Sequence, residues 1–195
     1  MATDPRPPTE NQLAPDLPGP VTYLTGHNKD GKAIVLQRRP AKWGRFDEDR
    51  LGMAVAYTTK YPADLNDDAD VAAHDARLAQ GPMSLVAKGG TLIRFVDFAP
   101  NYECLMHRTQ SLDYGIVIEG EIIAVFDSGE EVLMRPGDIM VQRVTMHAWR
   151  NPSPNNWARM IFCLQDCKPL IINGKVMGED LSKGKNEIPP SGNDA

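Results

Sequence analysis

Two histidines, His107 and His147, and an aspartate between them, Asp113, are the residues of this 195-residue chain best suited to chemistry at neutral pH. An imidazole titrating near about 6.5 can take or give a proton there, and a carboxylate beside it holds its tautomer and favours its charged form. On that reasoning Asp113 would move the pKa of His147 upward. The same three side chains are also two histidines and a carboxylate, a set that suits a divalent transition metal with open positions. Side chains alternate across a strand, so an inward His107 takes Leu105 and Thr109 with it and turns Met106 and Arg108 away. The same rule puts Trp149, Thr145 and Arg143 on the face of His147. Such a pocket is mostly apolar with a few converging polar groups, the usual make-up of a small-molecule site. The candidates are therefore His107, His147 and Asp113 for catalysis, and Thr109, Arg143, Trp149 and Tyr114 for substrate. Arg143 or Tyr114 would stabilise an enolate oxygen.

These residues need a sheet to bring them together across forty positions. From Met106 to Asn151, short apolar runs rich in Val and Ile alternate with turn residues, the pattern of consecutive antiparallel strands. Strand signals cover 91–98, 102–109, 114–118, 121–127, 131–134, 138–143, 145–150 and 158–165, with clear turns at Asp127-Ser128-Gly129 and at 135–138. Eight short segments of this kind form a barrel or sandwich. Upstream, two alternating runs in 21–37 flank an Asp30-Gly31 turn, which predicts a hairpin, and 51–60 predicts a further strand. The Ala- and Asp-rich stretch 64–80 predicts the one helix, capped by Asp67 or Asp68 and ended by Gly81, with His74 facing solvent. Residues 1–20 are Pro-rich and read as a mobile arm, 21–177 as one domain with a last small hairpin at 171–176, and 178–195 as a flexible tail.

Composition narrows the function classes. With 42% hydrophobic residues the chain can bury one sizeable core. A formal net charge of −5 argues against nucleic acid or an anionic membrane as partner. Three cysteines, Cys104, Cys163 and Cys167, make no even disulfide framework, and no signal peptide or long apolar span is present, so a cytoplasmic protein is expected. Cys104 has the opposite parity to His107 and is expected to point away from the pocket, while Arg94 and Arg159, which could bind an acidic substrate from their strands, are expected to face solvent as arginines in antiparallel sheets more often do.

The stretch 101–151 resembles the cupin family. The first cupin motif sets a histidine, a second two on, a glutamate four further and a glycine seven beyond that. Here His107, Thr109, Asp113 and Gly120 keep the frame with two ligand identities changed, and Asn101 stands where the motif has an earlier glycine. Gly137, His147 and Asn151 keep the second motif, with Gln142 and Val144 at its proline and glycine positions. The run 107–121, followed by 142–151, is similar to the small single-domain cupins found beside fungal natural-product enzymes and in bacterial relatives. The resemblance implies an all-β double-stranded β-helix, a jelly-roll barrel, with an N-terminal hairpin arm packed across a second subunit of a homodimer. It also implies a lyase or isomerase acting by acid–base catalysis on a polyketide-like intermediate, by decarboxylation, dehydration or cyclisation. Alternatives are a metal-dependent oxygenase, and a barrel that binds a small molecule without catalysis. The cofactor is accordingly none, or one divalent ion (Fe, Zn, Mn or Ni) on His107, His147 and Asp113.

Overall fold

The structure, a computed structural model, describes residues 6–181 and 188–193. In chain order its strands are β1 (Val21–His27), β2 (Ala33–Pro40), β3 (Gly44–Phe46) and β4 (Leu51–Lys60), followed by a single 3-10 turn (Asn66–Asp68) and helix α1 (Ala69–Leu78). Then come β5 (Gly90–Phe98), β6 (Ser111–Glu119), β7 (Ile122–Phe126), β8 (Glu131–Met134), β9 (Ile139–Arg143), β10 (His147–Arg150) and β11 (Ala158–Asp166). β12 (Leu170–Ile172) and β13 (Lys175–Met177) close the order. All pairings are antiparallel.

Two sheets enclose the core, a six-stranded one in the order β3-β4-β5-β11-β6-β9 and a three-stranded one in the order β10-β7-β8. This is a jelly-roll barrel. Alternation decides what faces inward: Leu92, Val96 and Phe98 on β5, Val117 on β6, Ile122 and Ala124 on β7, and Met160 and Leu164 on β11 are all buried in one cluster. The hairpin β1–β2 forms a separate two-stranded sheet, and Arg39 on it reaches Asp75 of α1 with bonds of 2.6 and 3.0 Å.

Several expectations are corrected. Residues 9–20 of the expected mobile arm lie against the domain: Trp43 Nε1 donates to Thr9 Oγ1, Arg159 donates to the Pro18 carbonyl, and Ala14 is fully buried. At the other end, Arg108 and Asp180 exchange backbone hydrogen bonds, and Asn193 is buried against Gln110 and Asp166, so the described part of the tail is strapped to the barrel. Residues 182–187 and 194–195 of the expected tail lie outside the described residues. Asp68 does occupy the N-cap of α1, but with a left-handed backbone and no side-chain cap bond. His74 faces inward instead of to solvent, hydrogen-bonded to Thr58 at 2.9 Å and stacked on Tyr57, because α1 packs that face on β4.

The segment 102–109 is the correction that matters for the site. It forms only isolated pairings among the described residues, Glu103 with Arg150, His107 with His147 and Arg108 with Asp180. Four steps on one side match three on the other, so the segment carries one extra residue, as a bulge does. Parity breaks there, and Cys104 turns toward the pocket with His107.

Candidate functional site

The pairing of His107 with His147 brings the two imidazoles together inside the mouth of the barrel, ring centroids 4.5 Å apart and planes tilted by 49°. Each ring is held from behind by its own chain: Nδ1 of His107 lies 2.8 Å from the Leu105 carbonyl oxygen, and Nδ1 of His147 lies 2.9 Å from that of Thr145. A carbonyl can only accept, so each Nδ1 carries the hydrogen and each Nε2 is left with its lone pair. Trp149 meets His147 edge-on at 5.4 Å and Phe162 at the same distance beyond. Burial lowers the pKa of both histidines, and the neighbouring His107 adds to the effect at His147, whose value falls to about 3. The pair is neutral at pH 7. The expected upward shift of His147 by Asp113 is overturned, since burial and His107 dominate it.

The pocket is a cavity of about 130 Å³, walled largely by Met53, Val96, Phe98, Trp149, Phe162 and Leu164. Asp113 and Thr109 line it together, the Thr109 hydroxyl donating to Asp113 Oδ2 at 2.9 Å. Burial pushes the Asp113 carboxyl up to about 6, against the pull of the neighbouring Ser111 and Thr109 hydroxyls and of the Arg94 charge. Arg94, expected in solvent, is 4% exposed and lines the same cavity. Its Nη2 donates to the carbonyls of Ser84 and Leu85 at 2.7 and 3.0 Å, and burial lowers its pKa to about 10. Period-two reading of β5 would have found it, because Leu92, Arg94, Val96 and Phe98 share one parity. Arg159 is likewise inside, paired with Asp97 at 2.6 and 2.8 Å, but at the far side of the sheet near Trp43.

Of the sequence candidates, the cavity brings together His107, His147, Asp113, Thr109 and Trp149. It does not include Arg143 or Tyr114. Tyr114 follows the inward Asp113 on β6 and so points out, and Arg143 pairs with Leu112 in the same outward row; both are exposed. Cys104 lies in the wall, its sulfur accepting from the Trp149 amide at 3.2 Å and its thiol pushed up to about 12 by burial. Tyr102, donating to Asp47, completes the polar lining.

The donor set does not fit a resident metal. Two imidazole nitrogens are available, but no third His, Cys, Asp or Glu converges with them among the described residues. Thr109 stands at one frame position, and Asp113 turns its carboxylate to Thr109 and toward the charge of Arg94. The metal set of His107, His147 and Asp113 is therefore not assembled.

The backbone keeps the cupin frame where side chains have changed. Asn101 and Val144, at two glycine positions of the motif, have φ of 51° and 56°, and Gly120 and Gly137 have 74° and 95°. A β-branched residue at positive φ is a strained choice.

Phomopsin biosynthesis cluster protein D of Diaporthe leptostromiformis is 38% identical to this chain over 191 residues, covering 95% of the chain and 98% of that protein. Cupin-domain-containing oxidoreductase virC of Hypocrea virens is 40% identical over 164 residues, covering 82% of each. Among solved structures, the cupin-2 domain Rru_A2000 of Rhodospirillum rubrum superposes with a TM-score of 0.44 at 12% identity, covering 68% of this chain and 76% of that one. No family model matches the chain. Among the described residues no helix is long and apolar enough to cross a membrane.

Proposed function

The chain belongs to the cupin family, among the small cupins of fungal biosynthesis clusters and their relatives, and from that premise we propose an enzyme that performs acid–base chemistry on an enolisable natural-product intermediate. The observation that carries this reading is the histidine pair, with both Nδ1 atoms spent on backbone carbonyls and each Nε2 left with its lone pair. One Nε2 takes a proton from carbon beside a carbonyl. The resulting imidazolium delivers that proton to another carbon in an isomerisation or ring closure, or to a departing hydroxyl in a dehydration. In a decarboxylation one Nε2 first takes the proton of the substrate's carboxylic acid and then returns it to the carbon that carbon dioxide leaves. Charge on one ring opposes charge on the other, so the pair takes up a single extra proton at a time. The apolar wall keeps bulk water from quenching the enolate.

A second reading, oxidation, is favoured by the printed names of relatives such as virC, described as an oxidoreductase. Product mass separates the two. The purified protein is incubated with the intermediate that accumulates when its gene is deleted. An isomeric product, or one lighter by water or carbon dioxide, supports the acid–base reading, and loss of turnover in His107→Ala/His147→Ala assigns it to the pair. A product lighter by two hydrogens or heavier by oxygen overturns it, as does full turnover by the double variant.

A further inference from the structure

Two buried polar atoms on the cavity wall have no partner. Arg94 Nε and Asp113 Oδ1 are both closed to solvent and without a hydrogen-bond partner of good geometry among the described residues, the Ser111 hydroxyl beside Asp113 being likewise unpaired. Their side chains are otherwise engaged: Arg94 through Nη1 and Nη2 with Met53, Ser84 and Leu85, and Asp113 through Oδ2 with Thr109. Each is under 5% exposed, at 4% and 3%, and both line the cavity that holds His107 and His147. The register places them on inward rows of the same sheet. Phe162 is opposite Arg94 on β5 and Leu164 is opposite Asp113 on β6, so β11 lies between the two side chains.

An unpaired buried donor and an unpaired buried acceptor each cost free energy, and one ligand group can relieve both. The group must accept from Arg94 Nε–H and donate to Asp113 Oδ1. A hydroxyl does both with one atom. A carboxylate satisfies the arginine but sets two anions against each other, and a hydrocarbon satisfies neither. We propose that Arg94 and Asp113 form a subsite for a neutral hydroxyl, either phenol, alcohol or enol, on an otherwise apolar ligand. The proposal rests on the reading of this cavity as the substrate pocket and does not depend on which reaction the histidines perform. It makes Arg94 and Asp113 substrate-binding groups, and gives Asp113 a role apart from the tautomer of His147.

Three aromatic probes of one size test this: naphthalene, naphthol and naphthoate, each titrated calorimetrically into the full-length protein at neutral pH. In the wild type, naphthol should bind tighter than both others by about tenfold, the effect of satisfying one buried hydrogen-bonding pair. Asp113→Asn removes the negative charge and leaves Arg94 uncompensated, so the order should change, with naphthoate overtaking naphthol. Arg94→Met should level naphthol with naphthalene; if that variant does not fold, the Asp113→Asn reversal still decides. Equal wild-type binding of naphthol and naphthalene, or an unchanged naphthol-to-naphthoate ratio in Asp113→Asn, overturns the subsite. No binding of any probe overturns both the pocket and the subsite. In His107→Ala/His147→Ala the naphthol preference should persist, which keeps the subsite distinct from the fate of the acid–base reading.

Discussion

Acid should destabilise this protein through His147, and the size of the effect follows from the burial of that ring. In the folded chain its pKa is lowered to about 3, by burial first and by His107 second, whereas in the unfolded chain it protonates near about 6.5. Between those values the unfolded state binds a proton that the folded state refuses, so the free energy of unfolding falls as the pH falls. At about 1.4 kcal/mol per unit, a descent from about pH 6.5 to about pH 4.5 removes about 3 kcal/mol. Asp113 acts in the opposite sense. Its folded pKa is raised to about 6, so on acidification the folded chain gains this proton first and is stabilised, by about 2 kcal/mol at about pH 4.5. Because the two effects overlap, the measurement is a difference. His147→Asn keeps an amide able to donate to the Thr145 carbonyl and has nothing to titrate. Urea unfolding, followed by tryptophan fluorescence from about pH 7 to about pH 4.5, should show the wild type losing about 3 kcal/mol relative to His147→Asn. A flat difference would refute the burial-enforced neutrality of His147, and with it the neutral base of the proposed reaction.

The buried pair Asp97–Arg159 should be costly to split: Asp97→Asn strands a guanidinium that is 3% exposed, at about 3–5 kcal/mol in urea unfolding, and Asp97→Leu/Arg159→Met should cost less than that single change. Purified without chelator, the wild type should hold less than roughly a tenth of an equivalent of transition metal, while Thr109→His/Asp113→Glu, which restores the ligand types of the motif, should bind zinc stoichiometrically by calorimetry. Among the described residues the strands of the hairpin β1–β2 pair only with each other, and the hairpin exposes Tyr23, Ile34, Val35 and Leu36. We expect it to pack on a second copy, so sedimentation should give a dimer; a monomer mass at micromolar concentration removes that expectation.

How much was legible in the sequence depends on the kind of signal each residue gives. Strand boundaries came through because turn residues and inward apolar rows mark them locally, as at Asp127-Ser128-Gly129 and along β7. The left-handed positions of the motif were also legible as geometry, since Asn101 tolerates positive φ, although Val144 at φ 56° gives no such warning. Site membership was legible wherever strict alternation applied. Asp113 and Tyr114 are neighbours on one strand, so only one of them can face the cavity. Arg94 reads as outward from the usual solvent preference of a sheet arginine, whereas the parity it shares with Leu92 and Val96 puts it inside. Cys104 is different in kind. Its inward turn comes from one extra residue between the Glu103–Arg150 and His107–His147 pairings, a long-range register that no local pattern encodes. The pKa of His147 is the same sort of quantity. Sequence supplies the possible partner, Asp113, but burial and the second ring set the sign, and both exist only once β10 and the 102–109 segment are paired. The consequence for chemistry is that Asp113 is freed from the histidines. Its Oδ2 accepts from Thr109 and its charge interacts with Arg94, so the residues at the two altered ligand positions of the motif supply polar groups to the same cavity as the imidazole pair.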